Sequence, residues 1–162
     1  MKKRPLWPLL ALALAISACT CPEVKTSSVA GTPRPGAPAT DRNCKTGDSC
    51  VVWVDVADCS AKGGTTVDAS QLGILTGTHD LDISWVIRTP GYEFTREGVA
   101  FKNDSYRKEF VHPRRPVPNI YVWTDLNNAG GDPFRTYPYG VAVAKTSGAP
   151  CVPLDPTIVN DL

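Results

Sequence analysis

His79-Asp80-Leu81-Asp82 sets an imidazole beside two carboxylates. On an extended strand successive side chains point to opposite faces. His79 would then share a face with Leu81, and Asp80 with Asp82. An imidazole near a carboxylate supplies the parts of a general acid–base pair or a metal pair. No Gly-x-Ser-x-Gly elbow and no paired-histidine motif accompanies them. His79 and Asp82 are therefore candidates for a small hydrolase only if the fold brings further groups to them. Otherwise they are the polar start of a strand. A second cluster is basic: Arg107-Lys108 and His112-Pro113-Arg114-Arg115-Pro116. Guanidinium forks suit carboxylates and phosphates, which makes Arg114 and Arg115 candidate contacts for an acidic partner or a lipid phosphate. The plainer reading is a solvated loop. A third stretch, Asp125-Leu126-Asn127-Asn128-Ala129-Gly130, partly matches a calcium loop. It has oxygen ligands at positions one and three and a glycine at six. It departs at Ala129 and at Thr136, where a bidentate Glu belongs, so a strand connection is the better account.

The elements that must position these residues read as strands. Val51–Ala57 is rich in β-branched residues. In Leu81–Ile87, Leu81, Ile83 and Trp85 share a face. Gly98–Lys102 and Asn119–Thr124 are shorter candidates. In Tyr137–Lys145, Tyr137, Tyr139, Val141 and Val143 share a face, and Pro138 marks the start of an edge strand. Gly63-Gly64, Thr89-Pro90-Gly91 and Asn127–Asp132 punctuate the runs. No window has a 3.6-residue period. Short strands between Gly and Pro turns predict an all-β fold, an antiparallel Greek-key-type sandwich. Trp53, Trp85 and Trp123 fall mid-strand and are assigned to the core between two sheets.

Several of these segments resemble small bacterial β-sandwich proteins of cupredoxin-like shape. The resemblance rests on Ile83-Ser84-Trp85, Gly91-Tyr92-Glu93-Phe94, Gly98-Val99-Ala100-Phe101, Tyr137–Val141 and the tail Leu154–Asn160. It implies a cupredoxin-like or Ig-like sandwich and no particular activity. A cupredoxin shape raises copper, whose blue sites use two histidines, a cysteine thiolate and usually a methionine. Here the histidines are His79 and His112, and the sole methionine is Met1. Cys151 is followed by Val-Pro-Leu-Asp-Pro. The expectation is no cofactor and no metal.

The N-terminus carries an address. Lys2, Lys3 and Arg4 precede an apolar run from Leu6 to Ala18. At 13 residues the run is shorter than the ~20 that a spanning helix needs, and it reads as a signal peptide over residues 1–18. Ile16-Ser17-Ala18-Cys19 resembles the lipobox of bacterial lipoproteins, in which the cysteine receives a diacylglycerol and becomes the acylated N-terminus. The resemblance implies a lipid anchor at Cys19. Thr20, rather than Asp, after it implies the outer membrane, facing the periplasm. Residues 19–43 then form a Pro-, Ser- and Thr-rich disordered tether whose prolines favour an extended, semi-rigid form. Residues 44–162 remain as one domain. The chain has 17 basic and 16 acidic residues. Removing Lys2, Lys3 and Arg4 leaves 14 against 16, which argues against a nucleic-acid partner. The expected partners are the membrane, through the lipid, and an envelope protein or glycan.

Cysteine usage agrees with export. Cys44, Cys50, Cys59 and Cys151 are an even set, as an oxidising compartment favours. Four cysteines allow three pairings. The turn-like Lys45–Ser49 leans toward Cys44 with Cys50, and so Cys59 with Cys151. An extended strand between Cys50 and Cys59 opposes their joining. Cys21 is left over.

Overall fold

A computed structural model describes residues 36–128 and 134–162. Residues 1–18, read as a signal peptide, and Cys19 and Cys21 lie outside the described residues. The chain forms strands β1 (Arg42–Cys44), β2 (Cys50–Val56), β3 (Thr65–Val67), β4 (Gln71–Ile74) and β5 (Leu81–Ile87). β6 (Tyr92–Phe101), β7 (Phe110–Val117), β8 (Ile120–Asp125), β9 (Arg135–Lys145) and β10 (Thr157–Asn160) follow, with a 3-10 helix at Asp104–Lys108 between β6 and β7. They make two five-stranded sheets, ordered β1-β4-β10-β9-β6 and β3-β2-β5-β8-β7. The all-β sandwich expected from the turn and strand pattern is the observed fold.

The sheets are mixed rather than wholly antiparallel. β4 runs parallel to both β1 and β10, and β2 runs parallel to β5. β1, β3, β4 and β10 have three or four residues each, too few to carry a readable alternation. Strand pairing begins before residue 44: Asp41 donates its N–H to the Gln71 carbonyl at 2.9 Å, and β1 starts at Arg42. The tether assigned to 19–43 therefore gives up its last residues to the domain.

Period-two patterning builds the core. Val52, Val54 and Val56 of β2 point inward, as do Leu81, Ile83, Trp85 and Ile87 of β5. From the facing sheet come Tyr137, Tyr139, Val141 and Val143 of β9. Trp85 is fully buried and its indole N–H donates to the Tyr139 hydroxyl at 3.2 Å. The two rings meet edge-on with centroids 5.3 Å apart. Trp123 is also inside, donating to the Val99 carbonyl at 2.8 Å. Trp53 is not. The inward turn of Val52 and Val54 leaves it half-buried on the outer face, with the Arg88 guanidinium 5.5 Å from its ring centroid. Gly98 sits where the β6–β9 register shifts, at φ 49°, and a Cβ there would lie 2.2 Å from the Tyr121 ring. Only glycine suits that approach.

The basic stretch taken as a loop is β7, an edge strand paired with β8. Pro113 and Pro116 are tolerated because no further strand needs their missing N–H. Both disulfides form as the spacing suggested, Cys44–Cys50 and Cys59–Cys151, with Cα separations of 5.7 and 4.4 Å.

Two outcomes test this packing. Trp85→Ala removes the largest fully buried side chain and should cost about 3–5 kcal/mol. Urea denaturation of the soluble domain would show it, and an unchanged midpoint would place Trp85 at the surface. The Cys59–Cys151 bridge spans 92 residues. Replacing both cysteines with Ala should cost roughly 2–5 kcal/mol in the same measurement.

Candidate functional site

The residues around His79 are brought to partners, but not to one another. Asp80 has φ 53°, in the left-handed region. This breaks the expected alternation, and β5 begins only at Leu81. His79 is exposed. Its Nδ1 lies 3.3 Å from the Leu126 carbonyl oxygen, and its backbone N–H donates to the Thr46 hydroxyl at 3.2 Å. Asp82 stands on the outer face of β5 opposite Thr124 of β8. It accepts hydrogen bonds from the Thr124 hydroxyl at 2.7 Å and from Arg114. The Arg114 hydrogen bond holds the Asp82 carboxyl below the usual carboxylate range, which makes it a weak base. Among the described residues no hydrogen bond joins His79 to Asp82. Arg114 also donates to the His112 carbonyl at 3.3 Å, and Arg115 pairs with Glu93 at 2.8 Å. Arg114 thus reaches across β8 to β5, and Arg115 links β7 to β6 of the other sheet. A polar recess of about 340 Å³ lies alongside, with Thr46, Asp48, Asp80 and Asp82 in its wall.

A more unusual constellation lies at one end of the sandwich. Asp125 ends β8 and is fully buried. Glu109 closes the 3-10 helix, one residue before Phe110, which pairs with Asp125 across β7 and β8. The Leu126 N–H donates to the Glu109 carbonyl at 2.9 Å and so fixes their approach. Asn127 turns back and donates its backbone N–H to Asp125 Oδ1 at 2.9 Å. From β10 of the other sheet, Asn160 donates its amide to Asp125 Oδ1 at 3.2 Å and to Glu109 Oε1 at 3.4 Å. Arg135, opposite Asn160 on β9, pairs with Asp161 at 3.0 Å and comes within 3.9 Å of Glu109 Oε1. Glu109, Asp125, Asn127 and Asn160 are all less than 5% exposed.

Burial is the main force on Asp125 and pushes its carboxyl up to about 7. The Asn127 N–H opposes this and the Glu109 charge adds to it. Burial, with Glu109, likewise pushes the Tyr137 hydroxyl up to about 12. Tyr137, Tyr106, Glu109 and Arg135 line a recess of about 330 Å³ beside the cluster. Among the described residues no three His, Cys, Asp or Glu side chains gather as metal ligands. The cluster is instead two carboxylates with two amides. The partial calcium loop had pointed to Asp125 and Asn127. Glu109 and Asn160 carry no local signal, since each joins the group only through strand pairing.

The raised Asp125 value sets a pH dependence. The folded chain keeps a proton that the unfolded chain loses near pH 4, so this contribution to stability is full below that value. It declines as pH rises toward about 7. Asp125→Asn cannot lose a proton. Relative to wild type it should gain on the order of 1–4 kcal/mol between pH 4.5 and pH 8, measured by denaturation with a chelator present. Parallel pH profiles for the two proteins would contradict the buried assignment.

No family model matches this chain and no curated protein matches it, so what the cluster does has to be read from its own side chains.

Proposed function

We propose that this chain is a bacterial lipoprotein, anchored through Cys19, whose β-sandwich acts by binding in the cell envelope. The observation that carries this reading is the cysteine distribution. Cys19 stands where a lipobox cysteine stands, after a basic start and an apolar run. All four cysteines of the folded part are paired in disulfides, which persist in oxidising compartments outside the cytosol. Several acyl chains together hold far more firmly than one. The Pro-rich segment that follows supports presentation of the domain away from the bilayer.

A binding role is supported by how the charged residues are used. Arg42, Arg88, Arg114 and Arg115 each meet a carboxylate on a neighbouring strand or loop. These pairs organise the surface, where solvent screens their attraction. A recess of about 200 Å³ beside Phe101, Tyr121 and Trp123, with Glu97 and Arg107 in its wall, supports a glycan or an envelope protein as partner. Outer-membrane residence facing the periplasm belongs to the same reading, through Thr20.

Cys19→Ala tests the anchor. Cells fed a clickable fatty acid should label the wild-type protein and leave the variant unlabelled. The variant should also leave the membrane fraction. Labelling at full strength in the variant would overturn the reading.

A further inference from the structure

We propose that Glu109, Asp125, Asn127 and Asn160 form a binding site for a hard divalent cation, with calcium as the best fit. The site stands on its own geometry and does not depend on the lipid anchor.

Four oxygens in the cluster have no hydrogen-bond partner among the described residues. They are Glu109 Oε2, Asp125 Oδ2, Asn127 Oδ1 and Asn160 Oδ1. Native proteins leave few buried polar atoms unpaired, because each gives up its bonds to water without replacement. Three of these four oxygens sit on side chains joined through the Asn160 amide, the fourth on the residue whose backbone N–H meets Asp125, and together they point to a missing common partner. All four are carboxylate or amide oxygens, the donor set of calcium rather than of zinc or copper. In sequence Asp125 and Asn127 hold positions one and three of a calcium-type loop, and the Asn127 N–H turns back to Asp125 Oδ1. The loop pattern fails farther along the chain, and the missing oxygens come instead from across the fold. Glu109 arrives beside β7, and Asn160 arrives from the opposite sheet.

Charge favours the same occupant. Glu109, Asp125 and Asp161 face one cation, Arg135. The formal balance is −2 when all are ionised, which one divalent ion cancels and a water molecule does not. Arg135 is drawn to Asp161 at 3.0 Å and stands farther, 3.9 Å, from Glu109. Asn160 turns its N–H toward both carboxylates and so holds them together while its own Oδ1 stays unpartnered. Two donors, Asn127 Nδ2 and Arg135 Nε, are also unpartnered. A bound ion would orient Asn127 by its oxygen.

The experiment is thermal unfolding of the soluble domain, first stripped with chelator, then titrated with calcium chloride against sodium chloride of equal ionic strength. At 10 mM calcium the wild-type Tm should rise by roughly 5–10 °C, as expected for a site of 10⁻⁴ M affinity in a domain of this size. Magnesium should give a smaller rise, since it sheds its waters reluctantly. Asn127→Gly is the informative variant. It removes a side chain that makes no hydrogen bond among the described residues and suits the positive φ of 41°. It should fold with near wild-type Tm in chelator and lose the calcium response; Asp125→Asn should start from a higher Tm in chelator and also lose the response. Two results would overturn the proposal: no Tm rise with calcium beyond the sodium control, or an equal rise in both variants, which would mean binding elsewhere on the surface.

Discussion

The contact on which this sandwich depends is the buried meeting of Trp85 and Tyr139. Each comes from the middle of a long strand and each belongs to a different sheet. Their rings lie edge-on, and the indole N–H is satisfied by the tyrosine hydroxyl. That hydrogen bond lets two large side chains with polar tips sit in the dry gap without a desolvation penalty. It also fixes register. A one-residue slip of β5 or β9 would turn the ring outward, along with every apolar neighbour on its strand. Burial drives the Tyr139 hydroxyl well above its ordinary range, so it stays a neutral partner.

The aromatic packing continues from this point toward the end of the domain that holds the polar cluster. Phe101 stacks on Phe110 with centroids 3.9 Å apart, and Phe110 meets Tyr137 edge-on at 5.0 Å. Phe110 follows Glu109, and Tyr137 is two residues from Arg135. The same side chains that close the core therefore set the backbone positions of the buried charges. Low dielectric on the core side strengthens every interaction in that cluster and raises the cost of each unmatched atom.

What could be read from the sequence divides along strand length. β5 was legible to the residue, since Leu81, Ile83, Trp85 and Ile87 alternate without interruption. β9 was legible for the same reason, although it is not the edge strand that Pro138 suggested, since it pairs with both β10 and β6; β2 was legible from its β-branched run. β7 was hidden because its prolines and arginines carry the composition of a loop, and an edge strand tolerates both. Trp53 was assigned to the wrong face because an aromatic in a β-branched run looks like core. Only the flanking valines, all inward, decide otherwise. At the sites the limit was distance. His79 and Asp82 are neighbours in the chain, and a single left-handed residue, Asp80, separates their surroundings. Glu109 and Asn160 lie 51 residues apart and share a hydrogen bond. No local pattern announces such a pair.

The placement of β10 has a consequence for how the chain reaches this state. β10 is the tenth strand in sequence and the third of five across its sheet, lying between β4 and β9. Until Thr157–Asn160 have emerged, β4 and β9 have no surface to join through, and Asn160 is missing from the buried cluster. The Cys59–Cys151 bridge closes only slightly earlier. A chain that appears from its N-terminus must therefore wait with half of its sandwich open, its apolar face exposed to whatever surrounds it. A chain stopped before residue 157 would lack the strand through which β4 and β9 join.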